Sequence, residues 1–358
     1  MGSIRILLAI AVVFAHSYGF VFVGGRLAVQ LFYIISGFLI SFILTEAKTY
    51  SSISAFYKNR LLRLFPAYFL VALGTLAMLY IATYFTISQG GFFSTYSAID
   101  TNGKISLILS NIFIFGQDWI MFTGVKDGVF QFVSDFRNSE VLVHQGLIVP
   151  QAWTLGVELS FYLVAPFILL NKRLIITFFI ISLAVRGILI YQGLGFQYPW
   201  TYRFFPAELS LFLLGTISHQ FWLPFLKRKK WITEGKAKLI TFVVFSYCLL
   251  YFLLPFRLVN TLLIIAIFTT SLPYMFEFQK KYSFDRWVGE LSYPIYISHM
   301  AVIMPVFYLW KRLFGETIDN NSLPRAILVV IITIMVSVVI NKLLERYINK
   351  IRNKIRKS

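Results

Sequence analysis

The stretch "IRILLAIAVVFAHS", residues 4–17, opens an apolar run that continues to position 22 and is interrupted by Arg5 and His16. A run of about 20 apolar residues is the length that crosses a bilayer as a helix. An ionisable side chain inside such a helix is costly, so it normally faces a cavity or a partner rather than lipid. Two questions follow: whether this run lies in a membrane, and what its histidine serves there.

Composition answers the first. Hydrophobic residues make up 58% of the 358, aromatic residues 18% and charged residues only 13%, against about 25% charged in a typical soluble domain. Apolar segments recur at 4–22, 28–45, 65–86, 105–121, 153–170, 174–192, 204–221, 238–256, 259–277, 291–310 and 325–344. The expected fold is therefore all-α, a polytopic integral membrane protein. The net charge of +18 sits in short basic clusters between the runs, a pattern that orients helices in a lipid bilayer and gives no reason to expect nucleic acid. The single cysteine, Cys248, lies within a run, which rules out an intramolecular disulfide and a cysteine metal cluster. No metal-ligand spacing, phosphate-binding glycine loop or nucleophile elbow is present. No small-residue cleavage site follows the first run, so it reads as a retained helix.

Charge bias sets the topology. With the N-terminus in the cytoplasm, Lys48, Lys58, Arg60 and Arg63 are inside. The weakest segment, 105–121, contains Ser106, Ser110, Asn111 and Gln117. If it crossed, "NKR" (171–173), "KRKK" (227–230) and "QKK" (279–281) would fall outside, against the positive-inside rule. If it does not cross, all three fall inside with the tail "ERYINKIRNKIRKS". About ten spans with both termini cytoplasmic are expected, with 88–152 as one external loop whose segment 105–121 lies on the surface or dips in and returns. Residues 1–347 form the membrane domain and 348–358 a basic cytoplasmic tail. No inverted repeat of the transporter kind is visible.

Three elements could carry chemistry. Arg5 and His16 are eleven residues apart, which returns to nearly the same helix face about 16 Å further along. Taken singly, Arg5 reads as a surface anchor and His16 as a histidine bonded to a carbonyl; their shared face favours a site. Ser36-Gly37 in "LFYIISGFLI" marks a close helix approach. Arg60 and Arg63 in "FYKNRLLRLFPAY" share a face as two guanidinium forks suited to phosphate. In "QAWTLGVELSFYLVAPF", Trp153 marks the interface, and Thr154, Glu158 and Tyr162 form an i, i+4 ladder. Glu158 needs a partner at that depth; as a purely structural ion pair it would have Arg186 or Arg203. Glu208, with Arg203 as its expected counter-ion, and His299 in "LSYPIYISHMAVI" are further intramembrane candidates, and His219 reads as interfacial.

Taken in order, the Arg5-to-His16 spacing, "FYIISGFLI", "RLLRLFPAY", "WTLGVELSFYL", "FFPAELSLFLLG" and "LSYPIYISH" resemble the acyltransferase family 3 membrane proteins, the bacterial O-acyltransferases of surface and secreted glycans. The resemblance covers nearly the whole chain. It implies a ten-helix domain of the bacterial inner membrane that takes acyl groups from cytoplasmic acyl-coenzyme A, here acetyl-coenzyme A, without a metal. It also implies a glycan acceptor on the outer side, such as O-antigen, lipooligosaccharide or exopolysaccharide. By resemblance, Arg5 and His16 match the family's first-helix pair, Arg60 and Arg63 its Arg-x-x-Arg, and Glu158 the glutamate after Trp-Ser/Thr-Leu. The chain departs at Leu159, where many members carry a second acid, and the hydrolase-like external domain that some members carry is not expected here.

The expected roles follow. Arg5, Arg60 and Arg63 hold the donor's phosphates, His16 is the general base or forms an acyl-histidine, and Glu158 orients the imidazole or places the acceptor. Ser36, Trp153, Tyr162, Arg203, Glu208 and His299 are the expected substrate contacts. The competing class is a transporter or flippase of a glycan or lipid precursor, in which the same charges would line a pathway.

Overall fold

Apolar segments in lipid must satisfy their backbone groups internally, which leaves helices as the building units. The computed structural model describes residues 1–47, 49–84, 91–200, 202–315 and 321–357; Lys48 and the first residues of the expected external loop, 88–90, lie outside them. The helices are α1 (Gly2–Ser17), α2 (Gly24–Thr45), α3 (Ile53–Tyr84), α4 (Phe92–Ala98), α5 (Thr101–Phe113), α6 (Gln117–Ile120) and α7 (Trp153–Ile168). They continue with α8 (Lys172–Tyr191), α9 (Phe205–Ile217), α10 (Leu223–Arg228), α11 (Glu234–Leu250), α12 (Arg257–Gln279), α13 (Ser283–Phe314) and α14 (Leu323–Lys357). One π-helical turn, Ser218–Trp222, joins α9 to α10 into a single rod. Among the described residues, eight helical rods are long and apolar enough to cross a membrane. With the shorter α1 and α7, each of 16 residues, they form a ten-helix multi-pass bundle.

Contacts sort the two ends of the bundle. At one end, Asp285 at the start of α13 accepts from the backbone N–H groups of Gly2 and Ser3. There Glu46 pairs with His219, Lys227 and Lys280 with Glu277, and Lys281 with Glu234. Gln220, beside them, donates to the carbonyl of Leu169, and Asn171 caps α8 just beyond it. The clusters at 171–173, 227–230 and 279–281 thus gather at the end where α1 begins, called here the basic end. At the other, the loop end, Trp200 donates to the Ser134 carbonyl and Trp153 packs on Tyr202.

Segment 105–121 does not cross. α5 has 13 residues, is capped by Asp100, and gives way at Ile114 to the short α6. The polar residues that weaken it as a span are the ones that hold the dip. Asn111 donates to the Gly146 carbonyl and accepts from the Ile148 N–H, each at 2.9 Å. Tyr68, halfway along α3, donates to the Asn111 carbonyl at 2.7 Å and accepts from Gln117 at 3.1 Å. Irregular backbone at this depth survives because protein surrounds it. The outward face of α5, with Ile105, Ile108, Leu109 and Ile112, stays exposed, as a lipid-facing surface should. The chain returns to the loop end through the hairpin β1 (Thr123–Lys126) and β2 (Val129–Phe132). Its two-residue turn, Asp127-Gly128, has positive φ at both positions, the mirror-image turn that suits hairpin twist.

Helix ends differ from the apolar runs in three places. α1 stops at Ser17 rather than 22, because Tyr18-Gly19 turns the chain, so His16 sits in the last turn. α3 begins at Ile53 rather than 65, which puts Arg60 and Arg63 on one helix with the membrane segment. α14 runs unbroken to Lys357, so the boundary drawn at 347/348 falls inside a helix.

Candidate active site

Two connected cavities enter the bundle from the basic end. The outer one, the mouth, is about 440 Å³ and is lined by Arg5, Arg63, Lys280 and Arg286, with Asp285 and Glu290 opposite. The inner one is about 330 Å³ and contains Arg5, Ser36, Arg60, Arg63, Glu158 and Tyr162. Arg5, Arg63 and Tyr293 line both, so the two arginines stand at the throat between them. Of these two cavities, Arg60 lines the inner one and not the mouth. It is 2% exposed and is held by the Tyr50 hydroxyl at 2.9 Å and the Asn59 side-chain oxygen at 3.4 Å. Residues three apart on a helix differ by about 60° in direction; the expected double fork is therefore split, Arg63 toward the throat and Arg60 behind it.

Glu158 lies in the inner cavity with these arginines. Ser36 donates to its Oε1 at 2.9 Å, and Tyr162, one turn on, donates to the same oxygen. The third member of the ladder, Thr154, turns away to the Tyr296 hydroxyl at 2.9 Å. Among the described residues no contact joins Glu158 to His16. The reason is direction: α7 descends from the loop end, so Glu158, one turn below Thr154, reaches the depth of Arg5, whose electrostatic surroundings include it.

His16 has a different neighbour. Its ring stacks against His299 of α13, centroids 5.2 Å apart and planes 34° apart. His16 is the accessible member and His299 is fully buried. Nδ1 of His299 lies 2.6 Å from the Tyr296 carbonyl oxygen. A carbonyl only accepts, so Nδ1 carries the proton and Nε2 keeps a lone pair. That Nε2 has no hydrogen-bond partner. Tyr296 forms the far wall of the inner cavity, with its ring 5.9 Å from that of His299. The imidazole pair therefore stands just beyond the inner cavity.

Arg203 is not the counter-ion of Glu208. It precedes the first turn of α9, off the helical ladder, and its guanidinium lies 3.9 Å from the Trp153 ring and 4.5 Å from Tyr198. It is 6% exposed, and its Nε and Nη1 have no hydrogen-bond partner. Glu208 instead pairs with Arg186 at 2.8 Å and accepts from Gln30 at 3.3 Å, a buried link between α8, α9 and α2. His219 is likewise buried, against Ser41 and Glu46.

Two loop-end groups escaped the sequence reading. Asp118, in the re-entrant turn, is 2% exposed, and a Cβ on Gly156 of α7 would lie 2.6 Å from its Oδ1. Burial pushes its carboxyl up to about 7, against the pull of backbone N–H groups and Arg203. His144 has an unpartnered Nδ1, and burial, assisted by the Arg203 charge, holds it down at about 4. A lone acid in "FGQDWIMF" was the available signal for Asp118, and a lone imidazole between the apolar triplets of "VLVHQGLIV" (141–149) was the available signal for His144.

The arrangement can hold an anionic, elongated molecule from the basic end inward and present a basic imidazole at its far tip. The sequence profile described as an acyltransferase domain, Acyl_transf_3, matches residues 2–342. An uncharacterized protein of Aquifex aeolicus (strain VF5) is 25% identical over 163 residues, 42% of this chain and 68% of that protein. No solved structure matches the chain. The family match spans nearly every helix described above: the chain belongs to acyltransferase family 3 and is a membrane acyltransferase.

Proposed function

We propose that the protein moves an acyl group, acetyl by first choice, from acyl-coenzyme A at the basic end to a glycan hydroxyl at the loop end. The basic end then faces the cytoplasm of a bacterial inner membrane, with both termini on that side. One observation carries the reading: a cationic mouth leads through the Arg5–Arg63 throat into a cavity that ends beside an imidazole pair. The helix rise from Arg5 to His16 is about 16 Å, comparable to an extended pantetheine arm. The donor's phosphates remain with the arginines while its thioester reaches the histidines.

In this mechanism His16 takes the proton of the acceptor hydroxyl as the oxygen attacks the thioester carbonyl. The tetrahedral adduct collapses with cleavage of the C–S bond, and the proton passes to the departing thiolate, giving ester and free coenzyme A. The lone pair on His299 Nε2, unpartnered in the structure, is available to an N–H of His16 when the rings turn toward each other during the reaction, and that bond would fix the tautomer that leaves the other His16 nitrogen free as base. That is the role expected of Glu158. Glu158 instead serves the throat, balancing the arginines and positioning Ser36 and Tyr162. Arg203, boxed by aromatic rings with two donors open, contacts the acceptor or the carbonyl oxygen.

Mass spectrometry of surface glycans with and without the gene tests this. The expected result is a fixed mass difference of one acyl group. Identical glycans, with the protein expressed and inserted, would refute the reading. Cysteine labelling of 227–230 from the outside would overturn the orientation.

A further inference from the structure

Tyr33, Tyr162, Tyr293 and Tyr296 line the inner cavity. Three of their hydroxyls have acceptors within the protein. Tyr162 donates to Glu158, Tyr293 to the Leu64 carbonyl at 2.7 Å and Tyr296 to the Gln151 carbonyl at 3.1 Å. The fourth does not: Tyr33 is 3% exposed and its Oη has no hydrogen-bond partner. An unpartnered buried hydroxyl weakens a fold, and phenylalanine would fill the same space without it. The ring is nevertheless fixed. It stacks on Phe212 of α9, centroids 4.6 Å apart and planes 24° apart, and Phe212 stacks in turn on Phe161 of α7 at 4.3 Å. Tyr33 lies one turn of α2 nearer the loop end than Ser36, which holds Glu158. Its electrostatic surroundings include Glu208, already paired with Arg186, and then Tyr296, Asp118 and Arg203. The residue therefore stands past the throat, on the side of the cavity where the proposed donor's thioester arrives.

We infer that the Tyr33 hydroxyl is the oxyanion donor of the transfer, hydrogen-bonding the thioester carbonyl oxygen in the tetrahedral adduct. The inference rests on the proposed transfer from acyl-coenzyme A. It goes beyond that reading by assigning the group that meets the carbonyl's charge, which leaves Arg203 to the acceptor. Attack by the acceptor oxygen moves the carbonyl π pair onto oxygen; the Tyr33 O–H donates to that oxyanion and keeps its proton. When the C–S bond breaks, the C=O bond re-forms and the hydrogen bond relaxes. A neutral thioester oxygen is a weak acceptor and an oxyanion a strong one, so the bond favours the adduct over the bound donor. In a cavity walled largely by apolar side chains, a donor already fixed in place needs no reorganisation.

The test is Tyr33→Phe, which removes the hydroxyl and keeps the ring. Inverted membrane vesicles from a strain lacking the gene, complemented with wild type or variant, receive radiolabelled acetyl-coenzyme A, and label in the glycan fraction is followed. Transfer at saturating donor should fall about 10²–10³-fold. Coenzyme A affinity and thermal stability of the purified protein should stay at wild-type values. Wild-type transfer by Tyr33→Phe overturns the inference. A loss of rate matched by an equal loss of coenzyme A affinity, or by a loss of thermal stability, also overturns it and makes Tyr33 a donor contact or a packing residue. Wild-type vesicles that label no glycan overturn the proposed donor, and this inference with it.

Discussion

The two ends of the bundle treat buried polar groups differently. At the basic end the carboxylates and Arg60 meet partners: Asp285 with two backbone N–H groups, Glu277 with two lysines, Glu158 with two hydroxyls, Arg60 with Tyr50 and Asn59. The buried atoms left there without a hydrogen-bond partner or ion pair include Arg60 Nε and Gln279 Oε1. Toward the loop end, Arg203, Asp118, His144 and His299 each keep a buried polar atom with no hydrogen-bond partner. Each such atom costs about 1–3 kcal/mol, a strain that stability alone gives no reason to keep. On the proposed reading, the basic end takes the donor with its carboxylates already paired, whereas the loop end holds buried charged groups whose partners an acceptor can supply.

The largest effect that would break this contrast lies at His16. Replacement by alanine or glutamine should lower acyl transfer about 10²–10⁴-fold, with expression and insertion intact; near-normal glycan acylation by His16→Gln would move the base elsewhere. His299→Asn comes next. It should lower transfer less than His16→Gln and shift the pH profile of the remaining activity, which a purely packing histidine would not do. At the basic end, Arg63→Ala should weaken donor binding about ten- to a hundredfold, measured by coenzyme A titration, and lysine should restore only part of it. Arg203→Gln sharpens the comparison from the other side: acceptor KM should rise about tenfold with coenzyme A affinity unchanged. The smallest effect concerns stability. Asp118 holds its proton in the folded state up to about pH 7, against an ordinary value of 3.8. Between those values the folded protein binds more protons than the unfolded chain, so stability falls as pH rises through the window. In Asp118→Asn that loss should vanish, and thermal melts at pH 5 and pH 8 should show the two proteins diverging at the higher pH.

Much of the fold was legible because lipid enforces a simple rule on long apolar runs, and the placement of "NKR", "KRKK" and "QKK" was enough to withdraw segment 105–121 from the spans. The Arg5–His16 face was legible for the same reason, a fixed helical period. Pairings between helices were not. Glu158 and His16 are both intramembrane, yet nothing local states how far α7 descends before reaching its glutamate. Arg203 and Glu208 are five apart in sequence, but the helix begins between them and Arg186 of α8 takes the carboxylate. The packing of the tail was hidden by composition: a lysine- and arginine-rich terminus reads as solvated until Arg352 is seen to donate to the Asn59 side-chain oxygen.

Gly37 and Gly215 cross at backbone contact, where an added Cβ would lie 1.8 Å from the Phe212 carbonyl oxygen and 1.9 Å from that of Ile34. Ser36 is the neighbour of Gly37 on α2, so the hydrogen bond it makes to Glu158 is aligned by α9, a helix that contributes nothing to either cavity. A single methyl group at Gly215 would act as a wedge: it would lever α2 away and lengthen a bond on that helix's other side. The throat's geometry is therefore exposed to change at positions that no ligand approaches, and its tolerance is that of a machined bearing rather than of a flexible pocket.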